Sequence, residues 1–96
     1  MTTLRLATFN VHHCRGLDGV VDVARTAATI NEIGADLVAL QELDRNVRRS
    51  DRVDQPNELA RLTDMRISFF PTAAVGSGDF GIAIAARERC DITFRL

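Results

Sequence analysis

Two short segments of this chain close apolar runs with side chains able to hold a cation. Leu40-Gln-Glu-Leu-Asp-Arg45 presents the carboxylate of Glu42, and Leu6-Ala-Thr-Phe-Asn10 presents the amide of Asn10. Both runs read as strands, and each donor sits where its strand should leave a sheet. Between them Val20, Val23, Ala24, Ala27, Ile30 and Ile33 recur at helical spacing. A strand, a crossover helix and a parallel strand put both strand ends on one edge of the sheet. Asn10 and Glu42 are therefore expected to converge, offering an amide and a carboxylate oxygen to a hard cation such as Mg2+.

The surrounding pattern supplies the elements that must position this pair. Leu4 to Val11 reads as the first strand, and polar His12 to Gly19, with Gly16 and Asp18-Gly19, as a turn. Asp18 or Asp22 suits the amino end of the helix, and Gly34 suits a left-handed cap at its other end. Leu37 to Leu40 runs apolar without alternation, the pattern of a strand covered on both faces. Arg45 to Gln55 is charged and aperiodic, which predicts a loop. Pro56 fits the first turn of a second helix, with Glu58 near its positive end and Leu59, Leu62 and Met65 inward. Ile67 to Pro71 reads as a strand and Gly76 to Asp79 as a hairpin or loop. Phe80, Ile82, Ile84 and Ala86 alternate with smaller residues, which predicts another strand. Asp91 to Leu96 begins one more, and a chain stopping there is expected to be a piece of something longer.

Ninety-six residues give room for one small domain, and 46% hydrophobic content excludes a disordered chain. A formal charge of −1 argues against a protein held to nucleic acid by its net field. Cys14 and Cys90 fit no paired metal spacing, and a reduced compartment is the simpler reading. No stretch has the apolar core of a signal peptide or the length of a membrane span, so a cytoplasmic location is expected.

Other candidate residues have more ordinary readings. His12 and His13 cannot both face one tetrahedral ion from a strand, which disfavours zinc. His12, beside Asn10, could donate to an oxyanion near neutral pH and is the candidate catalytic side chain. His13 reads as a surface or packing residue. Arg45, Arg48, Arg49 and Arg52 follow Glu42 and could capture phosphate. Asp44, Asp51 and Asp54 interleave with them, and that mixture favours a solvated charged loop. Gly76-Ser-Gly-Asp-Phe-Gly81 spells a dinucleotide fingerprint, but a strand follows it where the fingerprint needs a helix.

Taken together, Thr8-Phe-Asn-Val-His12, Gly34-Ala-Asp-Leu-Val-Ala-Leu-Gln-Glu-Leu-Asp44 and Phe80-Gly-Ile-Ala-Ile-Ala-Ala-Arg87 resemble the endonuclease/exonuclease/phosphatase superfamily. That superfamily includes DNase I-like nucleases, apurinic-site endonucleases, sphingomyelinases and inositol polyphosphate phosphatases. The resemblance runs from Leu4 to Arg87. It implies an α/β fold of the sandwich type, here the N-terminal half of a four-layer α/β/β/α sandwich with a mixed sheet. It also implies hydrolysis of phosphodiesters or phosphomonoesters with one or two Mg2+ or Mn2+ ions. Asn10 and Glu42 match the family's first two metal-site positions, Glu42 as direct ligand and Asn10 as the group orienting the metal site or phosphate.

Two residues depart from the family pattern. His12 stands where several members have Asp, and Ile82 stands where many have Asn. The family's later Gly-Asp-Phe-Asn-like motif and near-terminal Asp-His pair find no match after Arg87. Residues 1–96 are accordingly expected to form a partial domain with the first half of an active site and little turnover alone. Its partners would be the missing half and a phosphate ester, whether nucleic acid, phospholipid or inositol phosphate. The competing reading is a small non-catalytic α/β module that binds a nucleotide or a partner chain.

Overall fold

A computed structural model describes residues 3–87 of the chain, so the strand expected over Asp91 to Leu96 lies outside the described residues. In chain order the elements are β1 (Leu6–Asn10), α1 (Val23–Ile33), β2 (Leu37–Arg45), α2 (Gln55–Thr63), β3 (Arg66–Val75) and β4 (Gly78–Ala86). The four strands form one sheet in the order β1-β2-β4-β3. The β1–β2 pair is parallel, as the crossover requires, and the other two pairs are antiparallel. This is the mixed sheet expected.

Local chemistry sets the helix ends. Asp22 caps α1 by accepting from the Arg25 N–H at 3.1 Å, and Gly34 ends it in the left-handed conformation at φ 65°. Asp54 caps α2 through the Asn57 N–H at 3.1 Å, with Pro56 in its first turn. Leu59 is fully buried on its inner side, and Met65 just beyond its end is buried as well. The apolar stripe of α1 is narrower than its sequence suggests. Val20 precedes the helix, and Ala24 and Ile33 face solvent, so Thr26, Ala27 and Ile30 form the buried side.

Both helices pack on one face of the sheet. The register aligns Ala7, Val38, Ala85 and Ile67 in one row across that face and Phe9, Leu40, Ala83 and Phe69 in the next. Val38, Leu40, Ala83 and Ala85 are buried against Ala27, Ile30 and Leu59 in a single core. Small residues on β4 let the layers approach. The larger Ile82 and Ile84 point to the opposite face, where Ile82 is exposed. Along β2 the burial alternates from Leu37 to Leu40, which corrects the reading of a strand covered on both faces. That reading fails because no described element lies over the second face.

The stretch expected as one loop is more ordered than its charge suggests. β2 continues to Arg45, Arg48–Ser50 forms a 3-10 turn, and Gln55 already belongs to α2. β3 and β4 join through a tight turn at Gly76-Ser77, so the apparent dinucleotide fingerprint is a hairpin.

Candidate functional site

The parallel pairing carries Asn10 and Glu42 to the same rim. The ladder aligns Asn10 with Gln41 and is extended by the Val11 N–H donating to the Gln41 carbonyl at 3.1 Å. Immediately beyond, the β2–β4 register slips between Leu40 and Leu43, and Glu42 takes a left-handed φ of 60°. A bulge of this kind re-aims one side chain at the edge of a ladder. Here it aims Glu42 at Asn10, whose amide nitrogen donates to the carboxylate in a close contact. The other end of the amide is also engaged, since its oxygen accepts from the His12 N–H at 3.0 Å.

The chain then leaves β1 through an unusual turn. His12, His13 and Cys14 have successive φ values of 50°, 42° and 61°. Side-chain-bearing residues avoid this conformation, and a run of them marks a backbone held by its surroundings. The turn leaves the His12 imidazole exposed, with Nδ1 3.8 Å from a Glu42 oxygen. It also buries His13 and Cys14. Burial, and then the neighbouring Arg49 charge, lower the His13 pKa below its usual range. Burial pushes the Cys14 thiol up to about 11, so it is an inert packing group. A cleft of about 540 Å³ opens beside the turn, bordered by Asn10, His12, Arg15 and Arg25.

The three sequence-predicted site residues, Asn10, His12 and Glu42, thus come together. As a donor set for a hard cation they fit in part. The described residues contain no cluster of three or more His, Cys, Asp or Glu side chains able to hold a metal. Among the described residues, Glu42 is the anionic donor beside Asn10 and His12. Asn10, engaged at both ends of its amide, fits the orienting role.

A second set of residues fixes this geometry from below. Asp44, two residues past Glu42, is wholly buried. Its carboxylate accepts two bonds from Arg49 at 2.9 Å each and one from the Ser50 hydroxyl at 2.6 Å. Burial raises its pKa, but those bonds outweigh the desolvation and the net shift is downward. The fully buried Gln55 bridges the two strand ends. Its amide oxygen accepts from the Asp44 N–H at 2.9 Å, and its nitrogen donates to the His13 carbonyl at 2.8 Å. One side chain thereby ties the strand bearing Glu42 to the turn following Asn10. Sequence reasoning placed Gln55 in a loop and Asp44 among solvated charges. The available signal was Asp54-Gln55-Pro56, a helix start that puts Gln55 at the first turn, facing inward.

The arginines divide in the same way. Arg45 pairs with Asp79 at 2.8 Å and lies over the Phe69 ring, while Arg49 pairs with Asp44 and lies over Phe80. Half of the expected solvated loop is therefore built into the fold.

With this geometry in place, the chain can be set beside known proteins. No protein-family model and no curated protein matches it. Among solved structures, an endonuclease/exonuclease/phosphatase from Beutenbergia cavernae superposes with a TM-score of 0.69 at 26% identity, covering 88% of this chain. This chain shares the endonuclease/exonuclease/phosphatase fold. An endonuclease/exonuclease/phosphatase family protein from Leptotrichia buccalis superposes over 94% of it with a TM-score of 0.66, at 17% identity. The chain spans only 26% and 40% of the lengths of those two proteins. Among the described residues of this endonuclease/exonuclease/phosphatase-like chain, no helix is long and apolar enough to cross a membrane.

Proposed function

We propose that this chain supplies the metal-holding part of a divalent-cation-dependent phosphoesterase site acting on a phosphodiester or phosphomonoester. The reading rests on one observation above all. At the shared rim of two parallel strands, the Glu42 carboxylate is held by the Asn10 amide and is paired with no arginine among the described residues. A carboxylate oriented by a neutral donor keeps its charge available to a cation. Mg2+ or Mn2+ is the fitting ion, because carboxylate and water oxygens satisfy it.

In this reading Glu42 holds the ion and Asn10 fixes the carboxylate's direction. The exposed His12 imidazole donates to a phosphate oxygen. A divalent ion held by Glu42 would supply Lewis-acid chemistry, polarising the phosphoryl group and offsetting charge on the leaving oxygen. The likeness to endonuclease/exonuclease/phosphatase proteins supports the reaction class. The residues that would activate water and contact the scissile phosphate have no counterpart in these 96 positions. A partial domain with little turnover by itself is therefore part of the proposal, and its completing partner is the remainder of such a domain.

Mn2+ titration followed by NMR tests the site without requiring turnover. Paramagnetic broadening should begin at Asn10, His12 and Glu42 and vanish from them in Glu42→Gln. Broadening that persists at those residues in the variant, or that never reaches them in the parent, would remove the metal reading.

A further inference from the structure

We infer that the cleft between the Arg48–Ser50 turn and the β3–β4 hairpin is a second anion site, built to receive a phosphate group through Arg48 and Arg52. The cleft has a volume of about 610 Å³ and is bordered by Arg48, Arg49 and Arg52 on one side and by Gly76 and Ser77 on the other. It is separate from the cleft beside Asn10 and His12, and it stands whether or not Glu42 binds a metal.

Four arginines lie within ten residues after Glu42, and the structure gives them two different situations. Arg45 and Arg49 are neutralised by Asp79 and Asp44 and rest on phenylalanine rings. Arg48 and Arg52 are exposed and form no ion pair among the described residues. Arg52 instead donates to the Ser77 hydroxyl at 3.4 Å, a long bond across the mouth of the cleft. That places two uncompensated guanidinium groups and a hydroxyl around one opening. Guanidinium forks match phosphate oxygens in pairs, and a hydroxyl adds a neutral donor. Asp51 lies between the two arginines in sequence but does not border the cleft.

The walls are fixed. Val47 is buried beneath the turn, and the Ser50 hydroxyl is bound to buried Asp44. The hairpin sits so close to the end of β2 that a side chain at Gly78 would collide with the carbonyl oxygens of Arg45 and Asn46. A frame fixed in this way holds the exposed Arg48 and Arg52 side chains around one opening, which suits capture of a phosphate group.

Backbone conformation gives an independent pointer. Asp51 and Arg52 both adopt left-handed φ values, 54° and 59°. Glycine would occupy either position without strain, yet Arg52 keeps its side chain there. A left-handed φ costs a side-chain-bearing residue strain, and at Arg52 it sets the guanidinium-bearing side chain at the cleft.

The same fact supplies a clean test. Arg52→Gly removes the cation while relaxing the backbone, so the fold should survive or gain stability. Ser77→Asp leaves both arginines in place and sets a carboxylate in the opening. The full 96-residue chain is titrated at low ionic strength with inorganic pyrophosphate and, separately, with a short thymidine oligonucleotide, following backbone NMR shifts and calorimetric heat. Pyrophosphate should shift resonances of Arg48, Arg52 and Ser77 and bind about tenfold or more weakly to each variant, in line with loss of one charge-assisted contact. Tighter binding of pyrophosphate than of the oligonucleotide assigns the cleft to a dianionic terminal phosphate, and the reverse order assigns it to a diester. Glu42→Gln should leave either response unchanged, which separates this site from the metal reading. Equal affinity in parent, Arg52→Gly and Ser77→Asp, or no shift at the cleft with either probe, overturns the inference.

Discussion

Glu42 and Asp44 are two carboxylates on one strand, separated by a single residue, with opposite fates. Asp44 is entirely buried, and its two oxygens are consumed by Arg49 and Ser50. Glu42 stands at the rim with a neutral amide and an imidazole as neighbours. A buried carboxylate can exist only with its charge matched and its lone pairs satisfied. One left for a ligand must avoid that neutralisation. The bulge between Leu40 and Leu43 is what separates them, since it turns one side chain outward while the next pair of residues stays in the core. The largest expected effect tests the buried member. Arg49→Met leaves the Asp44 charge uncompensated and should destabilise the fold by about 3–5 kcal/mol. Asp44→Asn should cost less, because the Arg49 side chain is 46% exposed and can be hydrated. Urea denaturation of the two variants gives the ordering, and an equal cost would break the contrast.

Gln55 links the two carboxylates' surroundings, so its loss should reach both. Gln55→Leu strands the Asp44 N–H and the His13 carbonyl in the core, at a cost of about 2–4 kcal/mol. The variant should also weaken Mn2+ broadening at Glu42 under conditions where it remains folded, because the turn after Asn10 loses its tether. Native-state NMR at matched stability separates the two outcomes. Unchanged broadening would mean that the rim holds its shape without the bridge.

Acidification should separate the groups by pH. His13 has a folded pKa below its ordinary 6.5, so the unfolded chain takes up the extra proton first. Its contribution is present above about pH 6.5 and is lost as the pH falls from that value through the lower folded pKa. Asp44 is also lowered, from an ordinary 3.8, so its contribution persists to more acid pH, begins to be lost below about 3.8 and is gone once the pH is below its folded pKa. Stability measured against pH should therefore fall in two stages, and His13→Gln should remove the first. A single acid transition in the parent would contradict the assigned burial of His13.

Much of the placement of Asn10 and Glu42 was legible in the residues alone. Apolar runs ending in donors, with a helix between, leave a parallel crossover as the economical arrangement. Asp22, Gly34 and Pro56 likewise announce helix ends through local chemistry that tertiary contacts do not overturn. What stayed hidden was burial decided at long range. Nothing near Asp44 in sequence reveals that Gln55 and Ser50 will close over it, because the same residues read as a mixed charged loop. The open second face of the sheet was equally hidden. Leu37 to Leu40 is apolar on both sides, and pattern alone cannot say which side a described element covers. The left-handed turn at His12 to Cys14 had no sequence cue either, since none of the three is glycine.

The smallest expected change has the opposite sign, and it bears most directly on why the two carboxylates differ. Glu42 holds a φ of 60°, a conformation that costs a side-chain-bearing residue about 1–2 kcal/mol. Glu42→Gly relieves that strain but loosens the unfolded chain by about 0.5–1 kcal/mol. The net result should be a gain of about 0.5–1 kcal/mol in urea denaturation, accompanied by loss of the Mn2+ response at Asn10 and His12. At Asp44, where the side chain serves the fold, no such trade exists and every substitution should cost stability. A protein that becomes more stable when its rim carboxylate is removed keeps that carboxylate for a reason other than folding. If Glu42→Gly destabilises by as much as the Asp44 variants, Glu42 is a structural residue like its neighbour.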